Sequence, residues 1–204
     1  MSEEHFLGET VSERLQQQFA FIREIDKEKE IIRQTYLADG SRKETDAEHA
    51  WHMAMMVLLL SEYSNEKIDV GRTMAICLAH DLIEVYAGDT YAYDAKGNEG
   101  KRERELLAAD KLFALLPEDQ RDEIRGLWEE FEEQATPEAR FANTLDKIQP
   151  LMLNHASDGR SWAEHGVHHE QVYARNEKTH EGSEKLWEYA EEHFIKPNIG
   201  KALE

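Results

Sequence analysis

Apolar residues recur every three to four positions along nearly the whole chain, and sustained alternation of apolar and polar positions is absent. The long charged segments are built from Glu, Lys, Gln, Ala and Leu, all good helix formers, so the expected fold is all-α. A first helix is predicted over Val11 to Thr35. After the loop Leu37–Lys43, the Thr45-x-x-Glu48 spacing reads as a capping box that opens a second helix running to about Tyr63, with His49 in its first turn. A third runs from about Val70 to Tyr86 and stops at Gly88. Residues 91–100, with Asp94, Gly97, Asn98 and Gly100, carry no apolar period and read as a loop beside the site. Helices are predicted at 101–116, 118–133 and from Pro137, where Thr136-Pro137-Glu138 supplies a cap, a first-turn proline and an acid. Pro150 removes the helical donor for the Asp146 carbonyl, so that helix is expected to kink or end there. An irregular segment over 154–169 and a last helix at about 170–193 complete the pattern.

One stretch breaks the amphipathic rule. Within Met74-Ala-Ile-Cys-Leu-Ala-His-Asp-Leu-Ile-Glu-Val, His80 and Asp81 interrupt an apolar run. Burying both costs several kcal/mol unless something compensates, and a divalent cation would. Adjacent residues project about 100° apart on a helix, so both can reach one ion, with Glu84 one turn along on the same face. A second histidine, His49, lies in the preceding amphipathic segment, and a lone aspartate, Asp146, in the later segment Phe141-Ala-Asn-Thr-Leu-Asp-Lys.

The order His49, His80-Asp81, Asp146 resembles the HD-domain metal-dependent phosphohydrolases. The wording around it, Arg42-Lys-Glu44-Thr-Asp-Ala-Glu48-His49-Ala-Trp51 and His80-Asp81-Leu-Ile-Glu84-Val-Tyr-Ala-Gly88-Asp89, is similar to the branch containing bacterial 5'-deoxynucleotidases and their eukaryotic relatives. The resemblance covers about residues 20–150. It implies a single HD-domain helical bundle over 1–204, whose irregular segment and terminal helix at 151–204 lie outside the motifs. It also implies that His49, His80, Asp81 and Asp146 hold a metal, a two-nitrogen, two-carboxylate set that suits Mn, Fe, Co, Ni or Zn. Relatives with two irons place extra histidines between the doublet and the last aspartate, whereas residues 82–145 contain none. One divalent ion is therefore expected, and dioxygen chemistry is disfavoured. By the same resemblance Glu84 and Asp89 are the proton-transfer carboxylates. The competing roles are hydrogen bonding to a ligand histidine for Glu84 and a turn after Gly88 for Asp89. Arg42 aligns with a family position seven residues before His49, and Arg33 lies further upstream; each is a candidate for gripping phosphate. His52, one turn from His49, reads as a packed neighbour more readily than as a ligand. The cluster His165, His168 and His169 reads as a loop feature, with Trp162 or His165 as a base-stacking lid the functional alternative. Met53, Met55, Met56, Trp128 and Phe131 read as core.

The remaining composition narrows the partners. Forty-three acidic against 24 basic residues give a net charge of −19, which repels nucleic-acid backbones and anionic membranes. A small phosphate ester stays compatible, because a buried cation and a few arginines dominate the local field. The chain is 204 residues with one cysteine, Cys77, expected buried and reduced; no span long enough for a membrane and no signal-like start is seen, so a cytoplasmic setting is the expectation. The function expected is a metal-dependent phosphomonoesterase acting on (deoxy)nucleoside 5'-monophosphates, in a homodimer implied by the resemblance. The rivals are hydrolysis of another small phosphate ester or a nucleotide pyrophosphate, and a metal-containing nucleotide-binding regulator. Glu84 and Asp89 favour turnover, since a sensor needs no proton donors. A purely structural helical module would leave the His80-Asp81 doublet unexplained.

Overall fold

The computed structural model describes residues 5–6, 9–94 and 99–204, so Gly97 and Asn98 of the predicted loop lie outside the described residues. After a short antiparallel pair, β1 (His5–Phe6) and β2 (Glu9–Thr10), helix α1 spans Val11–Ile25. Thr10 caps it: its hydroxyl accepts from the Glu13 N–H, while the Glu13 carboxylate takes the Thr10 N–H.

α1 ends ten residues earlier than its pattern predicts. A 3₁₀ turn (Asp26–Glu30) follows, and then β3 (Ile32–Tyr36) pairs antiparallel with β4 (Lys43–Thr45), with Ile32 opposite Thr45 and Tyr36 opposite Lys43. β-branched and aromatic residues favour the strand, and the turn is closed by Gly40 at φ +67° and by Ser41 N–H donating to Asp39. At three to five residues, these strands are too short to show a period of two.

α2 (Asp46–Leu60) begins at the predicted capping box, with both reciprocal bonds between Thr45 and Glu48 present. α3 (Val70–Ala79) is capped by Asp69 and stops seven residues before its predicted end at Tyr86. Here the backbone tightens to three-residue spacing: Glu84 N–H reaches the Asp81 carbonyl at 2.9 Å and Tyr86 N–H the Ile83 carbonyl at 3.1 Å, before α4 (Glu84–Ala87) ends at Gly88, φ +75°. Residues three apart eclipse in such a turn, which aligns Asp81 with Glu84.

α5 (Lys101–Phe113), α6 (Glu118–Glu133) and α7 (Pro137–Ala156) follow as predicted, except that α5 ends three residues early and α7 runs through Pro150. One lost hydrogen bond and the ring clash cost about 3 kcal/mol. Leu145, Ile148, Leu151 and Leu153, all buried, hold the helix together across that point. The end of the chain is more broken than predicted. α8 (Arg160–His165), α9 (His169–Arg175) and α10 (Glu184–Ala190) are separated by turns, and a π-helical turn (Glu191–Ile195) extends the last. The break before α10 has a steric reason. A Cβ on Gly182 would lie 2.4 Å from the Arg140 carbonyl oxygen, so this segment presses directly on α7, where Thr144 also bonds the Thr179 carbonyl.

The core joins α2, α3, α5, α6 and α7 through Met53, Val57, Ile76, Leu112, Phe113, Trp128, Phe141 and Leu145, with Cys77 buried among them. Met55, read as core from the sequence, lies on the outer face of α2 with Trp51, Leu58 and Leu59. On α1, Val11, Leu15, Phe19 and Ile22 are likewise exposed. Among the described residues, no helix is long and apolar enough to cross a membrane.

Candidate functional site

The end of α3 and the middle of α7 line a cavity of about 250 Å³, and the first turn of α2 brings the buried His49 against Asp146 behind it. His49 Nε2 lies 3.1 Å from Asp146 Oδ1, and His80 Nε2 lies 2.9 Å from Asp81 Oδ2 and 3.9 Å from Asp146 Oδ1. The two imidazoles are 5.4 Å apart. The structure thus brings together all four residues singled out in the sequence as a metal set, and His49, His80 and Asp81 offer ligand atoms within 4.8 Å of one another.

The ring nitrogens show what belongs between them. His80 Nδ1 is 2.8 Å from the Cys77 carbonyl, which can only accept, so Nδ1 carries a proton and the neutral ring has its lone pair on Nε2. His49 Nδ1 is 3.0 Å from the Gln149 amide oxygen, whose orientation is fixed because Gln149 Nε2 donates to Glu44 at 2.8 Å. His49 Nε2 therefore also presents a lone pair, and both face carboxylate oxygens. His80 Nε2 is buried and makes no hydrogen bond despite its closeness to Asp81. Lone pairs opposed to carboxylates repel unless a proton or a cation lies between. Burial pushes His49 down to about 4, against protonation. At His80 burial also opposes charge, but Asp81 and Asp146 outweigh it and push the ring up to about 9. The His80 shift describes a point that wants positive charge, and the donor set fits a divalent cation.

Beside it lies a second group. Asp46, Glu84 and Asp89 bring carboxylate oxygens within 4.8 Å of one another. Burial, then the charges of Asp81 and Asp46, raises Glu84 well above the usual carboxylate range; burial and Asp81 push Asp46 up to about 7, and burial raises Asp89. Such carboxyls hold their protons more tightly than free ones, which suits general acid–base work.

Arg33, delivered by β3, is the cation among these acids. Its Nη1 lies 2.9 Å from Asp81 and 3.2 Å from Asp46, and its Nε 3.5 Å from Glu44. Arg42 is elsewhere: it is exposed, paired with Glu48, and outside the cavity lining. His52 is half-buried against Gln149, 3.3 Å away, and also outside the lining. His165 is exposed, stacked near Tyr91 with ring centres 4.3 Å apart, while Trp162 is buried and lines the cavity with Tyr91, Tyr93 and Phe131. His168 and His169 join no metal-competent group among the described residues.

Four residues in or beside the cavity have no role in the sequence reading: Lys101, Lys147 and Arg175, which line it, and Asp46, which lies behind Arg33 with Glu84 and Asp89. Asp46 sits inside the motif around His49 and Lys147 next to Asp146, at 2.7 Å from its carboxylate, so adjacency was an available signal for both. Nothing local marks Arg175.

Comparison with known proteins follows the same outline. The 5'-deoxynucleotidase HDDC2 of Homo sapiens is 31% identical over 133 residues, 65% of this chain and 64% of that relative, so the chain spans just under two thirds of its length. The 5'-deoxynucleotidase HDDC2 of Danio rerio is 35% identical over 112 residues, 55% of this chain and 54% of the relative. A crystal structure of a protein named as a predicted metal-dependent phosphohydrolase from Magnetospirillum magnetotacticum MS-1 superposes with a TM-score of 0.87 at 43% identity, covering 94% of this chain and 98% of that one. A conserved hypothetical protein from Pyrococcus furiosus, at 24% identity and a TM-score of 0.62, shares the fold. A model of the HD domain matches residues 25–187, and with that span covering the whole constellation the chain belongs to the HD domain family.

Proposed function

We propose that this chain is a divalent-metal-dependent phosphomonoesterase that releases phosphate from (deoxy)nucleoside 5'-monophosphates. The observation that carries the reading is the pair of buried histidines whose Nδ1 atoms are spent on acceptors and whose Nε2 lone pairs face Asp81 and Asp146. In this reading His49, His80, Asp81 and Asp146 hold the cation. A cation bound there supplies a lowered pKa for water and neutralises charge on phosphoryl oxygens. Glu84, kept protonatable by burial, orients the attacking water and accepts its proton, and Asp89 protonates the leaving alkoxide. Arg33 holds the acidic wall together and offers its charge to the phosphate. The aromatic wall of Tyr91, Tyr93 and Trp162 gives the nucleoside an apolar surface. The names of the relatives, 5'-deoxynucleotidase and metal-dependent phosphohydrolase, support the substrate class.

One transition-metal ion is proposed for the nitrogen-bearing group. A second ion in the Asp46–Glu84–Asp89 group is the competing reading, favoured by Asp46 Oδ2 and Glu84 Oε2, which are buried without a hydrogen-bond partner. The chain is read as one domain in a reducing cytoplasm, where its single thiol stays free. The exposed apolar faces of α1 and α2 are covered by a second copy in a homodimer; a monomer in sedimentation equilibrium at micromolar concentration removes that part.

The deciding experiment is a panel of nucleotides and sugar phosphates assayed for phosphate release with Mn, Co, Mg and Zn after chelation. Nucleoside 5'-monophosphates should be cleaved faster than 3'-monophosphates and triphosphates. Release from triphosphates or cyclic dinucleotides, with none from any monophosphate, overturns the reading.

A further inference from the structure

The reaction proposed above needs a group that closes on the phosphoryl oxygens, and Arg42 stands outside the cavity. Among the described residues four cations line it: Arg33, Lys101, Lys147 and Arg175. Three are committed. Arg33 is bound to Asp81 and Asp46, Lys101 lies 3.4 Å from Glu105, and Lys147 lies 2.7 Å from Asp146. The Arg175 side chain makes no hydrogen bond or ion pair with any described residue. Elsewhere in this acidic chain Arg14, Arg72, Arg125 and Arg140 each bond a carboxylate directly.

Arg175 is the last residue of α9, where a cation favours the helix dipole. That accounts for a cation at the helix end and leaves its placement on the cavity wall unexplained. Its charge acts on Asp89 on one wall and on Lys147 on another. A side cavity of about 270 Å³ shares Gln134, Asn143, Lys147 and Arg175 with the main one, so Lys147 and Arg175 stand where the two meet. Glu177 and Glu181 line that side cavity, and neither forms an ion pair with Arg175. A guanidinium with five unused donors, exposed enough to move and facing a chamber that already gathers cation-seeking acids, is suited to bidentate contact with phosphate.

We propose that Arg175 is the phosphate-gripping residue of this site, closing on the phosphoryl oxygens of a small phosphomonoester from the junction it shares with Lys147. The inference rests on the phosphomonoesterase reading. It also gives the C-terminal segment, which carries no recognisable motif, a part in substrate binding.

The test uses the metal-loaded full chain with inorganic phosphate as the probe, by titration calorimetry, beside steady-state kinetics on a nucleoside 5'-monophosphate. Arg175→Ala should weaken phosphate binding and raise KM about tenfold or more, the scale of a lost charge-assisted contact, with kcat nearly unchanged. Arg175→Lys should recover part of the loss. Metal content and melting temperature should match the wild type in both variants, and Arg42→Ala should behave as the wild type throughout. An active wild type with Arg175→Ala unchanged in both phosphate affinity and KM overturns the assignment of Arg175 alone. A metal-loaded wild type that binds no phosphate and cleaves no monophosphate removes the phosphomonoesterase reading, and this inference falls with it.

Discussion

Replacing Arg33 by methionine should turn the acidic wall of the cavity against the fold. The guanidinium is mostly buried, with 13% of the side chain exposed, and ion-pairs with Asp81, Asp46 and Glu44. Removing one partner of a buried ionic cluster costs roughly 3–5 kcal/mol, because the charges left behind keep their desolvation penalty. For a chain of this size about 1 kcal/mol shifts the melting temperature by roughly 2–4 °C, so a fall of about 6–20 °C is expected in chelator at pH 8. The deficit depends on pH with a definite sign. Arg33 lowers the proton affinity of Glu44, Asp46, Glu84 and Asp89, all of which are nonetheless held above their ordinary values by burial. Without it their folded pKa values climb further, while the unfolded chain still releases these protons near pH 4. The folded variant then binds more protons than the unfolded chain, and its stability falls as pH rises from about 4 through 7 and beyond. Melts followed by circular dichroism at pH 5 and pH 8, with and without manganese, give the comparison. The gap to wild type should be smallest at pH 5, and manganese at pH 8 should narrow it by supplying charge beside Asp81. A variant that melts with the wild type at pH 8 in chelator, or shows its larger deficit at pH 5, refutes the reasoning.

Asp81→Ala should lose bound metal and activity together, and elemental analysis showing wild-type metal content in the variant would reject Asp81 as a ligand. The same analysis on the wild type reads one ion per chain if only the nitrogen-bearing group is filled; two ions would move Asp46, Glu84 and Asp89 from proton transfer to coordination. Glu84→Gln keeps shape and hydrogen bonding, so it should retain the metal and lose about 100-fold or more in turnover. Near-normal turnover would reduce Glu84 to a packing residue and pass its role to Asp89.

What could be read from the chain was the part written in residue type at local spacing. His80-Asp81 stood out because polar ligands inside an apolar run are costly, and His49 because a capping box fixed the turn that carries it. The helix from Pro137 is announced by its Thr136 cap. What could not be read depends on distance along the chain. Asp81 has no Lys or Arg close by in sequence, and its partner Arg33 arrives through a hairpin whose short strands leave no period. The tightening after His80 comes where its ring takes the Cys77 carbonyl, and the survival of α7 through Pro150 goes with buried packing on either side. The break before α10 follows from Gly182 meeting Arg140, a contact 42 residues apart that no local pattern encodes. Arg42 shows the opposite failure, a residue in the right motif whose side chain turns outward to Glu48.

The burial of Cys77 has a practical side. It is the chain's single cysteine, it has no measurable exposure, and burial pushes its thiol far above the ordinary range, so the reactive thiolate is nearly absent in the folded protein. A second cysteine introduced on the surface would be modified selectively, so a fluorophore or spin label can be attached without first engineering the native thiol away. In the unaltered protein, slow consumption of a thiol reagent becomes a clock: each Cys77 that reacts records an opening of α3, the helix that ends in the His80-Asp81 doublet.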